Sequence, residues 1–199
     1  MQRALRTIIG VVVVVVVGAV ACSTAPTADP PVPGTTTTTT APSGIALPPR
    51  PRDIPVDGVE PCSLLTAEQR AALGLDGNPI TSTGSTQIFG SARSCIVRGS
   101  DPLEVAVGIT LVTTTGVERF TGGELAANLT TITVGGFPAV LARPVGLDSF
   151  CSVELDVARG QMIDVQFRDG GRKPPVPLDR LCHGAEQVAG EVMASLLAH

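Results

Sequence analysis

The groups able to do chemistry in this chain are few, and cysteines and carboxylates dominate them. Cys22 follows Arg3 and Arg6, an apolar run over residues 8–17 and the small-residue stretch Gly18-Ala19-Val20-Ala21. A basic start, a short apolar segment and a small-residue cleavage site make an export leader over residues 1–21. A cysteine at the first position after the cut is where bacterial lipoproteins take up a diacylglyceryl group and palmitate-type acyl chains. The segment over residues 8–21 holds about 14 residues, short of the roughly 18 that span a bilayer. Ala19-Val20-Ala21 also fits cleavage without lipidation, and Ala19 stands where the bacterial lipobox usually has Leu. The cysteine count favours lipidation. Cys62, Cys95, Cys151 and Cys182 form an even set, and Cys22 is left over. A thioether-linked lipid removes an exposed thiol that an oxidising compartment would attack.

Other combinations are weaker. Glu154, Asp156 and Asp164 alternate along neighbouring segments with Arg168, so they are expected together on the outward, solvated face of one hairpin. Paired carboxylates serve glycosidases only when they flank a cleft. A hydrolase would further need Asp148, Glu154 or Asp164 to meet His183. No G-x-S-x-G and no S-x-x-K occur, so a serine nucleophile has no recognisable setting. Cys95 lies between Arg93 and Arg98, which would favour a thiolate, but in an even cysteine set a disulfide is the expected state. Thr121-Gly122-Gly123 lacks the P-loop context and reads as a turn, and Asn128-Leu129-Thr130 is a glycosylation sequon by letter. The cysteines stand about thirty residues or more apart, without the clustering zinc requires. No metal and no cofactor are expected.

Composition narrows the function further. The chain has no Trp and no Tyr, and Lys173 is its one lysine. Loss of Arg3 and Arg6 with the leader takes 14 basic residues to 12, against 18 acidic. A mature chain near −6 excludes nucleic acid as a partner, because basic patches and stacking platforms are missing. It also has no electrostatic attraction to anionic lipid, so membrane attachment is expected to rest on the lipid at Cys22.

The elements that position these groups follow from pattern. Residues 22–60 are the lipidated cysteine and a disordered tether rich in Thr and Pro, including an unbroken run over 35–40. Such a segment cannot bury enough surface to offset its ordering entropy. Residues 61–199 are one domain of ordinary size. Thr66 and Gln69 form a capping box before a short helix over 67–73. Strands are expected over 93–98, 103–111, 130–134, 137–142 and 151–157 and around 163–167, with Gly135-Gly136 as a two-residue turn. Parity requires Leu155 to pair with Ile163. A three-residue loop of Ala158-Arg159-Gly160 with positive φ at Gly160, pairing Val157 with Gln161, meets that requirement. A closing helix over 179–197 carries Cys182, Ala185, Val188, Ala189, Val192 and Leu196 on its apolar side. The fold class is α+β: a short N-terminal helix, an antiparallel sheet of about six strands, a C-terminal helix packed on it, and two disulfides. Four cysteines allow three pairings. Cys62–Cys95 and Cys151–Cys182 are preferred because each staples a helix end to a strand.

Several of these residues resemble one family. Pro61-Cys62-Ser63-Leu64-Leu65-Thr66, Ser94-Cys95, Val134-Gly135-Gly136-Phe137-Pro138-Ala139-Val140, Cys151 opening a strand and Cys182 opening a terminal helix are similar to an actinobacterial lipoprotein family, domain of unknown function 3558. Glu60 replaces the Asp often found before Pro-Cys, and Val97 the Trp often found after the second cysteine. The resemblance implies a cell-envelope location and a disulfide-stapled domain, and it lends no catalytic residues. The expected role is a non-catalytic, lipid-anchored, extracytoplasmic domain that binds a cell-envelope component. The alternative is a carrier or sensor holding a small apolar ligand in a cavity lined by Val107, Val165 and Val192.

Overall fold

The computed structural model describes residues 44–198. The leader, Cys22 and the run over 35–40 lie outside the described residues. A 3-10 turn, Pro61–Leu64, precedes helix α1, Ala67–Ala72, whose Thr66 and Gln69 exchange both bonds of the capping box. Strands β1 (Ile80–Thr86), β2 (Gly90–Gly99) and β3 (Val105–Val112) follow, then the short helix α2 (Glu118–Thr121). Strands β4 (Ala127–Val134), β5 (Phe137–Pro144), β6 (Phe150–Ala158) and β7 (Gln161–Asp169) lead to helix α3, Leu178–Ala198. The strands make one antiparallel sheet in the order β1-β2-β3-β7-β6-β5-β4.

The sheet has seven strands rather than about six, and β1 is the addition. Its sequence, ITSTGST, carries no alternating apolar residues, and all seven are exposed. Backbone pairing to β2, from Ile80↔Ile96 to Thr86↔Gly90, holds it at the sheet edge. Hydrophobic periodicity cannot reveal a strand that buries neither face.

Odd-numbered residues of the central strands form the core under α3. Val107, Ile109, Val153, Leu155, Ile163 and Val165 have no exposed surface, and the α3 residues Ala185, Val188, Ala189, Val192 and Met193 have none either. Gly184 lets the helix come down on Phe167, since a Cβ there would lie 2.8 Å from the ring. The cysteines stand in two pairs at disulfide distance, Cys62–Cys95 and Cys151–Cys182, with Cα atoms 4.9 and 4.8 Å apart. The first ties the 3-10 turn to β2, and the second ties α3 to β6. Each closes a loop of roughly 30 residues, a constraint on the unfolded chain of about 3–4 kcal/mol.

The β6–β7 hairpin corrects one expectation. Leu155 does pair with Ile163, and Gly160 takes φ +68°. The turn itself is the two residues Arg159-Gly160, because Ala158, not Val157, pairs with Gln161. The parity is restored inside β6, where the register shifts between Asp156 and Ala158 and leaves Val157 as the extra residue. A bulge satisfies the same constraint as a longer loop. The Val157 carbonyl, released from the ladder, accepts from the Ile54 amide at 2.7 Å.

That bond belongs to a second correction. Residues 44–60, expected within the tether, pack along the domain. Val56 is 1% exposed within the main core, and its amide donates to Gln161 Oε1 at 2.8 Å. Arg50 bridges Asp53 at 2.9 Å and Asp156 at 2.5 Å, and the Ile45 amide donates to the Thr121 carbonyl at 3.0 Å. Proline-rich composition reports weak burial capacity, but Ile45, Ile54 and Val56 supply enough apolar anchors for the segment to lie down as a strap.

Candidate functional site

The even-numbered face, away from α3, carries the polar groups of the sheet. Strand register lines up Ser82, Ser94, Thr110, Asp164 and Glu154 in one row across β1, β2, β3, β7 and β6. Burial deepens along this row. Ser82 is exposed, Ser94 and Thr110 are half-buried, Asp164 is 1% exposed and Glu154 is fully buried. The carboxyls at 154, 156 and 164 are therefore not solvated, against the sequence expectation. A second apolar cluster covers this face. Val112 and Met162 flank the row on one side and Ala142 on the other, joined to Phe89 and Phe120, whose rings stack 6.2 Å apart. Hairpin arithmetic placed the three carboxyls on the correct face. It missed the cover because Phe89, in the β1–β2 turn, and Phe120, on α2, come from outside the hairpin. The available signal was the run of apolar residues at even positions, Val112, Val140, Ala142 and Met162.

Glu154 and Asp164 are direct cross-strand partners. Two buried carboxylates that close repel strongly and resist ionisation. Loss of hydration raises both, and the facing Asp164 charge raises Glu154 further. Asp164 is pushed up to about 7, held from rising more by side-chain hydrogen bonds from Glu154, Gln166 and Thr110. Glu154 goes well above the ordinary carboxylate range. Its Oε1 accepts from the Ser152 hydroxyl at 2.7 Å, while Oε2 has no donor. An orphaned acceptor is costly, and a protonated carboxyl avoids that cost because it is itself a donor. The pair therefore keeps its protons above the ordinary carboxylate range. Two hydrogen-bond chains reach Asp164 from the open side. Ser94 donates to Thr110 at 3.0 Å and Thr110 acts on Asp164. Arg168 donates to Gln166 Oε1, and Gln166 Nε2 donates to Asp164 Oδ2 at 3.0 Å.

At the open end of the row lies a groove of about 210 Å³ lined by Ser82, Gly84, Thr86, Ser94, Ile96, Gly108, Thr110, Gln166 and Arg168, with Phe89 and Ala92. It adjoins one of about 200 Å³ that shares Ile96, Gly108 and Arg168 and adds Arg98 and Ala106.

The remaining sequence candidates are dispersed. His183 is exposed on α3, across the sheet from Glu154 and Asp164, and Asp148 is exposed in the loop before β6. Among the described residues the helix face holds His183 and the opposite face holds the carboxyls, so they do not converge. Asp156 leaves the acidic pair for the strap, where Arg50 holds it. Burial raises its carboxyl, and the Arg50 contact pulls it back. Cys95 stands in the expected pair with Cys62, and Arg93, its neighbour in sequence, pairs with Glu60. Val107, Val165 and Val192 are packed within the main core with no exposed surface. Among the described residues no group of three or more His, Cys, Asp or Glu is arranged to hold a metal ion. No described helix is long and apolar enough to cross a membrane.

A seven-stranded antiparallel sheet with one covering helix and two cysteine staples defines a small α+β domain. The chain belongs to the family described as protein of unknown function (DUF3558), which it matches over residues 17–195. No curated protein and no solved structure matches it.

Proposed function

We propose that this chain is a cell-envelope lipoprotein, held on the outer face of the cell membrane by acyl chains on Cys22, with a non-catalytic domain that binds an envelope component. The cysteine economy carries the reading. Four of the five cysteines stand in pairs at disulfide distance, and the fifth is Cys22, directly after Gly18-Ala19-Val20-Ala21. Disulfides persist in oxidising compartments outside the cytosol. Two or more acyl chains give stable anchoring where one does not. The non-catalytic part is supported by the separation of His183 from the carboxyls and by the covering of Glu154 and Asp164.

Fractionation of a lipoprotein-processing bacterial host tests the reading. The intact chain is expected in the membrane fraction, and Cys22→Ser in the soluble envelope or medium. Equal distribution of both would refute the anchor.

A further inference from the structure

We propose that the open end of the even-numbered face binds an anionic saccharide, a sugar bearing a carboxylate or a phosphate. This deepens the reading of the domain as a binding module and does not depend on the anchor.

The floor of the groove carries the first argument. Gly84 on β1 and Gly108 on β3 both line it. Neither has the positive φ that favours glycine. A Cβ on Gly84 would meet nothing within 4 Å, and one on Gly108 would meet only the Gln166 Cβ at 4.0 Å. Neither conformation nor packing requires glycine at these positions, and glycine weakens a strand interior. What the two share is a bare stretch of sheet, where a ligand can lie against the backbone. In register between them stand the Ser94 and Thr110 hydroxyls, with Ser82 on the edge strand. Hydroxyls both donate and accept, as sugar hydroxyls do.

The rim supplies the charge. Arg98 and Arg168 flank Ala106 in one row, one strand to either side, which places them about 10 Å apart. Both are exposed, and among the described residues neither forms an ion pair. Asp169, the carboxylate of the adjoining groove, is occupied by the amides of Gly171, Arg172 and Val176. Two guanidinium groups without an ion-pair partner among the described residues thus stand at this end, beside an Asp169 carboxylate whose oxygens already accept three amides. Guanidinium forks suit carboxylate and phosphate. The one aromatic in the groove, Phe89, is buried against Phe120, so a nucleobase would find no stacking platform.

The test is titration of the full chain, both cysteine pairs oxidised, with glucuronate, glucose 6-phosphate and neutral glucose, read from backbone amide NMR shifts. At least one anion should shift Ser94, Ala106, Gly108 and Thr110, with a dissociation constant of about 0.1–10 mM. Glucose should bind about tenfold more weakly, and Arg168→Gln should weaken the anion about tenfold, as loss of a charge-assisted contact does. Gly108→Val should abolish binding by filling the floor. The exposed Arg168 variant decides the matter if Gly108→Val does not fold. The two anions distinguish carboxylate from phosphate. The proposal is overturned if neither anion shifts these amides at high millimolar concentration, if Arg168→Gln binds like the parent, or if glucose binds as tightly. A chain that stays on the membrane but binds neither anion defeats the groove alone; one that binds but carries no lipid defeats the anchor alone.

Discussion

Glu154 and Asp164 face each other across β6 and β7, both out of contact with water, and among the described residues neither forms an ion pair with Arg or Lys. A pair so placed favours the protonated form. Folded-state values above the unfolded ones mean that the folded chain binds more protons, so stability falls as pH rises. The stabilisation is complete below the unfolded value of 3.8 and is lost as pH climbs through about 7, where Asp164 releases its proton. A shift of this size corresponds to a loss on the order of 4 kcal/mol. Urea unfolding at pH 5 and pH 8, with disulfides intact, should show the lower midpoint at pH 8. Glu154→Gln should narrow the difference by removing one of the two facing acids. Equal midpoints in the parent would contradict the raised carboxyls.

Gly184 and Phe167 give a packing test. A Cβ at 184 would fall within 2.8–2.9 Å of three ring atoms. Alanine improves helix propensity by about 1 kcal/mol over glycine, but crowding a packed core costs typically 1–3 kcal/mol. Gly184→Ala is expected to destabilise by about 1 kcal/mol on balance, and the double variant with Phe167→Leu to recover most of that. Thermal melts of the four chains of this cycle check the coupling. Additive effects would mean that the helix lifts freely.

The strap makes a third prediction. Arg50→Ala removes the cation beside Asp156, whose side chain is 9% exposed. The loss is expected at about 1–2 kcal/mol, with faster protease cleavage within residues 44–60. Asp53→Ala, at an exposed contact three residues away, should cost under about 0.5 kcal/mol. Limited proteolysis with mass readout checks both. Equal cleavage of parent and Arg50→Ala would show that Asp156 does not hold the strap.

The staples make a fourth. Serine replacement of Cys151 and Cys182 together should lower stability by about 3 kcal/mol, as should replacement of Cys62 and Cys95. Denaturant midpoints under non-reducing conditions measure each. A pair whose loss leaves the midpoint unchanged is not a staple.

Much of this architecture could be read from the residues, and the failures share a cause. The α3 stripe, Gly135-Gly136 with φ +57° and +83°, the Thr66–Gln69 box and the Leu155–Ile163 pairing are all short-range patterns, and each is found where expected. The Cys62–Cys95 and Cys151–Cys182 pairs also stand as preferred. The misses depend on what comes from elsewhere in the chain. Strand β1 exists only because β2 offers its edge. Glu154 and Asp164 are buried because Phe89 and Phe120 arrive over them. Residues 44–60 are ordered because Asp156 and the freed Val157 carbonyl receive Arg50 and Ile54. The groove had no sequence signature at all, because Gly84 and Gly108 become neighbours of one surface only through the strand register.

Export with lipid at Cys22 and oxidation of the other four cysteines is the claim on which the proposed function stands. Mass analysis of native, unreduced protein extracted from membranes tests it most directly. The expected result is a chain beginning at Cys22 with added diacylglyceryl and acyl mass, and digestion products linking Cys62 to Cys95 and Cys151 to Cys182. An unprocessed chain that retains its leader, or four titratable thiols in the domain, would contradict it.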